Sequence, residues 1–124
     1  MKRRFLMGAI AAAALATTAV IAPNATAATN SPAACSSQSW WPGDGGYATL
    51  TSSGRIPVRV GPYSGCQAIY VPAGSELELD CRDFNSAGNI WYHGQVYTNG
   101  ALVDGWVYEG NIASFHDASH TWCT

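Results

Sequence analysis

The chain has 124 residues, 48% of them hydrophobic and only 11% charged, with six Lys and Arg against eight Asp and Glu. That length suits one small domain, and so few cations exclude nucleic-acid binding by counterion release. Half of those cations lie together in Lys2-Arg3-Arg4, followed by an apolar, Ala-rich run from Phe5 to Ile21 and then Ala25-Thr26-Ala27. A basic start, a short apolar middle and a small-residue A-x-A ending are the three parts of a secretory signal peptide, so residues 1–27 are expected to be removed. The apolar run is at the short end of what crosses a bilayer, which favours a cleaved leader over an anchor. The remaining 97 residues hold Arg55, Arg59 and Arg82 as their only full cations against eight acids, a net charge of −5. Such a chain is not drawn to an anionic membrane surface or to nucleic acid. Cys35, Cys66, Cys81 and Cys123 all fall in the exported part. An even cysteine count in a short secreted chain reads as a disulfide framework, which a domain with a small core needs. Three pairings are possible.

Residues 28–46 are rich in Ala, Ser, Pro and Gly, with Trp40-Trp41 as their only bulky content. Pro32, Pro42 and the glycines at 43, 45 and 46 predict an extended arm without a helix. From Tyr47 onward the texture changes to short β-prone runs between turn residues. Tyr47–Thr51 is the first candidate strand and Ile56–Val60 the second, ended by Gly61-Pro62. Pro57 suits an edge or a bulge because it has no N–H to donate. Gln67–Val71 is the third, ended by Pro72-Ala73-Gly74. Glu76-Leu77-Glu78-Leu79-Asp80-Cys81 alternates strictly, which predicts a half-buried strand with Leu77, Leu79 and Cys81 facing inward. Asn85–Asn89 reads as a loop. Ile90–Tyr97 and Ala101–Val107 flank Thr98-Asn99-Gly100, a strong hairpin signal because Asn and Gly tolerate positive φ. Residues 111–124 show no alternation and could hold a helical turn. The class is all-β.

Several of these landmarks fall in a recognisable order. Arg59-Val60-Gly61-Pro62, Val71-Pro72-Ala73-Gly74, Trp91-Tyr92 and Gly105-Trp106-Val107 together resemble the bacterial SH3-like (SH3b) domain over residues 47–112. The resemblance implies a small, disulfide-stabilised SH3-like barrel of five to six short strands over 47–113, preceded by the arm and followed by a tail at 114–124. It implies a 3₁₀ turn after Val107, and Asn111 stands where the family commonly has a groove Tyr. It also implies Cys66–Cys81 within the barrel and Cys35–Cys123 tying arm to tail. Its usual task is binding, with a cell-wall (peptidoglycan) peptide or another extracellular peptide held between the Tyr63 loop, the hairpin aromatics and the turn. The candidate ligand residues are Tyr63, Trp91, Tyr92, Tyr97, Tyr108 and Asn111.

Other constellations point to less. His116, His120 and Cys123 have a spacing that could ligate a metal from a helical turn, but an oxidised Cys123 is no ligand, so no metal is expected. His93 beside Cys66 or Cys81 would need a free thiolate for nucleophilic catalysis, which a disulfide framework denies. Glu76 and Glu78 share one strand face and read as a solvated face. Trp106 is expected in the barrel interior, and if Trp91 joins it then Tyr92 looks outward. Trp40-Trp41 are expected to cover one end of the barrel. The expectation is a monomeric, secreted, non-catalytic binding module without cofactor. A freestanding secreted interaction protein, such as an inhibitor or toxin-like effector, is the alternative.

Overall fold

The computed structural model describes residues 32–36 and 38–124. The leader expected at 1–27 lies outside the described residues. A single turn of helix, α1 (Pro32–Ser36), precedes seven strands: β1 (Tyr47–Leu50), β2 (Arg55–Arg59), β3 (Ala68–Pro72), β4 (Glu76–Phe84), β5 (Ile90–Thr98), β6 (Ala101–Tyr108) and β7 (Ile112–His116). A 3₁₀ turn at Glu109–Asn111 separates β6 from β7. Among the described residues no helix is long and apolar enough to cross a membrane.

The all-β reading holds, with three corrections. The arm contains helix α1, because Pro32 sits at its first position, where a missing N–H costs nothing, and Ala33 and Ala34 follow. The tail holds β7 and then a parallel bridge between Arg82 and Trp122, not a helical turn. The sheet has seven strands in the order β3-β2-β6-β5-β4-β1-β7 and is open, not a closed barrel. Its weak seam lies between β2 and β6, which pair only at Arg59↔Trp106. Pro57 has no N–H with which to extend that ladder, so the β2–β3 hairpin diverges from the sheet. At the free edge, the Arg55 guanidinium donates to the Tyr70 carbonyl (3.0 Å). A charge placed there blunts an otherwise apolar edge strand.

One face of the sheet wraps around the main core of Ala48, Leu50, Val58, Leu77, Leu79, Tyr92, Val96 and Val107, with Phe115 and Ile112 packed against it. The β5–β6 hairpin turns through Asn99 (φ 52°) and Gly100 (φ 74°), as the Asn-Gly pair predicts. The other face carries a second buried cluster of Cys81, Trp91, Trp106 and Cys123. Trp106 is therefore buried (2% exposed) but not in the main core.

A β-bulge creates this division. The β4–β5 register passes from Leu79↔Gly94 to Cys81↔His93, leaving Asp80 without an opposite residue. One inserted residue reverses the side on which every later side chain points. Leu77 and Leu79 face the core as the alternation predicts, whereas Cys81 faces the outer side, beside the tail. The disulfides follow: Cys81 pairs with Cys123, and Cys35 pairs with Cys66. This overturns the expected Cys66–Cys81 and Cys35–Cys123 pairing. Gly61 makes the second link possible, since a Cβ there would stand 2.3 Å from the Cys35 carbonyl oxygen.

Candidate functional site

The arm lies across the outer face, and the bulge residue holds it there. The Asp80 carbonyl accepts from the N–H groups of Gly43 (2.9 Å) and Asp44 (2.7 Å). The Asp80 carboxylate turns into the outer face, where it lies 2.8 Å from His93 Nδ1 and accepts from the Gln95 amide at 2.9 Å. Trp40 stacks flat on the His93 ring, with centroids 4.0 Å apart and planes 13° apart, and Trp106 meets the same ring edge-on. Asp44 fastens the tail. Its carboxylate accepts from the backbone N–H groups of Gly46, Ser119 and His120 at 2.8 to 3.0 Å. Burial pushes the Asp44 carboxyl up, but these donors together outweigh it and hold the group below its ordinary value.

Burial pushes the His93 imidazole below its ordinary value, outweighing the hydrogen bond and charge of Asp80 and the charge of Asp104. The unfolded chain therefore binds this proton more readily than the folded one. Stability is expected to be full above the unfolded value, about 6.5, and to fall as the pH drops from there toward the folded value. Urea midpoints measured from pH 8 to pH 5 check this, and His93→Gln should flatten the slope in that window.

A groove opens at one end of the outer face, with a volume of about 180 Å³. Trp91, Tyr108 and Asn111 line it together with Arg59, Ser64 and Asn89. The Trp91 and Tyr108 rings lie 5.5 Å apart and tilted by 51°. Tyr108 is 40% exposed, and its ring rests on the 3₁₀ turn, where a Cβ on Gly110 would stand 2.4 Å from it. The two loops that wall the groove are tied to each other. Asn85 donates to the Pro62 carbonyl (2.8 Å), and the Tyr63 hydroxyl accepts from the Ser86 N–H (3.3 Å). Arg59 is partly restrained by a 2.8 Å bond to the Cys66 carbonyl. The Trp91 indole nitrogen is buried and makes no hydrogen bond, the one such side-chain atom among the described residues.

The structure brings Trp91, Tyr108 and Asn111 together, with Tyr63 on the loop at their rim. Two candidates lie apart from the groove. Tyr92 is a core residue at 2% exposure, because Trp91 takes the outer face and the next residue must point the other way. Its hydroxyl lies 2.7 Å from His120 Nδ1. Tyr97 is 75% exposed beside the hairpin turn, paired with Leu102, away from the groove. His116 and His120 do not converge either. His116 stacks on Tyr47 and bonds Thr49 and Ser114, while His120 serves Tyr92. Trp40 and Trp41 cover the middle of the outer face, not a barrel end, and the Trp41 indole donates to the Trp122 carbonyl. Sequence reasoning missed Arg59 and Asn89 as groove residues and Asp80 as the hub. For Arg59 there was a signal, since it lies at the Gly61-Pro62 turn and is one of three cations.

The chain matches no protein-family model, and no curated protein or solved structure matches it either.

Proposed function

We propose that this chain is a secreted, non-catalytic binding module of the SH3b kind, and that its groove holds an extended cell-wall peptide. The observation that carries the reading is the groove itself. Two rings and a backbone-like amide at Asn111 form a set suited to a peptide's alternating carbonyls and side chains. The 3₁₀ turn directly after Gly105-Trp106-Val107 supports the SH3b reading. Arg59 supports a peptide bearing a carboxylate, since it offers positive charge in a protein that is otherwise acidic. Two disulfides and the leader-like N-terminus support export. Nothing in the groove combines a nucleophile with a base, which favours binding over catalysis.

Pull-down on purified peptidoglycan tests this. Enrichment over a control protein is expected, with Tyr108→Ala and Gly110→Ala each weakening it by about fivefold or more through loss or displacement of the Tyr108 ring. No enrichment, with one stoichiometric protein co-purifying from culture medium, would give the role to a protein partner instead.

A further inference from the structure

Charge is spread unevenly over the outer face. Asp44, Glu76, Glu78 and Asp80 line a cavity of about 390 Å³ between the arm and β4, and Asp104 lines one of about 290 Å³ beside Trp40. The peptide groove differs, because no Asp or Glu lines it and Arg59 does. Glu109, next to Tyr108 in the chain, is exposed on the 3₁₀ turn and is not part of the wall. Arg59 is half-buried on β2, and its guanidinium donates once to the protein, to the Cys66 carbonyl at 2.8 Å. It makes no ion pair among the described residues, where the one such contact joins Asp80 to His93. A guanidinium carries five N–H donors, so this bond orients the group and leaves the rest of its fork free. The side chains of Ser64, Asn89 and Asn111, in the same wall, make no hydrogen bond among the described residues.

An oriented guanidinium without a carboxylate partner, in a wall with two uncommitted amides, calls for an anion with planar oxygens. We infer that the groove takes the free α-carboxylate at the C-terminal end of its peptide, with Arg59 as the residue that selects it. This inference rests on the peptide reading of the groove. The guanidinium fork matches two carboxylate oxygens at once. The Asn89 and Asn111 amides supply donors and acceptors for the last peptide group, and the Trp91 and Tyr108 rings an apolar surface for the side chain beside it. Size favours a chain end over a side-chain carboxylate. At about 180 Å³ the groove is smaller than the roughly 300 Å³ at which ligand sites usually begin. A chain that stops there fits, whereas an internal Asp or Glu would bring chain in on both sides. A bare phosphate would meet the charge but leave the rings unused.

The test uses the ¹⁵N-labelled, disulfide-bonded chain collected from culture medium. The Arg59 Nε–H and the Asn89 and Asn111 side-chain amides are followed by NMR during titration with acetyl-trialanine in all-L and all-D form. The C-terminal amide of each is titrated next, and then amides in which the middle residue is Asp. Saturable shifts are expected with a free-acid peptide of either hand. Its plain amide and its Asp-bearing amide should bind at least about tenfold more weakly, the loss of one charge-assisted pair. The exported part carries a net charge of −5, so without a local cation the acid would be the weaker ligand. That comparison needs no variant. Arg59→Gln should bring the acid down to the level of its amide and leave the amide within about twofold. Arg55→Gln removes the same charge at the free edge and should change neither by more than about twofold, as expected of an exposed charge outside the groove. Equal binding of acid and amide, or tighter binding of the Asp-bearing amide, would overturn the inference and leave the peptide groove standing. No saturable shift with any of the peptides would overturn both.

Discussion

Replacing Cys81 and Cys123 together by alanine is expected to lower stability by about 4 kcal/mol, the chain-entropy value for so long a loop. The two residues are 42 apart in sequence, so the link restrains nearly half of the described chain. It also closes the outer-face cluster with Trp91 and Trp106. Without it the last residues are held by non-covalent contacts, among them the Asp44 clasp, the Arg82 bonds to His120, Thr121 and Cys123, the Trp41 bond to Trp122 and the stack of Trp122 on Phe84. Guanidinium unfolding of the double variant measures the loss, and a partial-reduction peptide map checks the connectivity. A destabilisation under about 1 kcal/mol, no more than an ordinary surface change, would mean that the outer cluster holds without its covalent tie.

Asp80→Ala is expected to cost about 1–3 kcal/mol, the range for leaving a buried hydrogen-bonding group without its partner. The substitution leaves the His93 and Gln95 donors without their acceptor inside a closed face. Asp80→Asn retains one carbonyl oxygen and should lose less. The backbone carbonyl that holds Gly43 and Asp44 is untouched by either change, so the arm should stay docked. Thermal unfolding, with the His93 ring nitrogens followed by NMR, separates the two effects. Equal stability of Asp80→Ala and the parent would remove Asp80 from its place as the hub of the outer face.

Much of the architecture was legible from residue patterns. Leu77 and Leu79 announce a half-buried strand, Asn99-Gly100 its hairpin, and Gly105-Trp106-Val107 the strand before the 3₁₀ turn. Half of the groove was legible too, in Trp91, Tyr108 and Asn111. What failed were statements of facing. Alternation assigned Cys81 to the side of Leu79, and the same reasoning left Tyr92 free to look outward. For Cys81 a single inserted residue in β4 reverses the parity, whereas for Tyr92 the alternation held and only the face of Trp91 was open. Nothing in Glu78-Leu79-Asp80-Cys81 marks Asp80 as that residue, because the bulge is stabilised by His93, Gln95 and the arm, all distant in sequence.

By itself the sequence determined the all-β class, the positions of β1 to β6 and their turns, the acidic charge and the presence of two disulfides, since each rests on local pattern or composition. The tertiary structure alone decided which cysteines pair, that the sheet stays open, and which rings meet across the outer face. Those outcomes turn on one unpaired residue in β4, one missing N–H at Pro57, and an arm that crosses the sheet far from its neighbours in the chain. Local preferences do not encode contacts of that range. They are settled only when the strands have met and each buried polar group has found its partner.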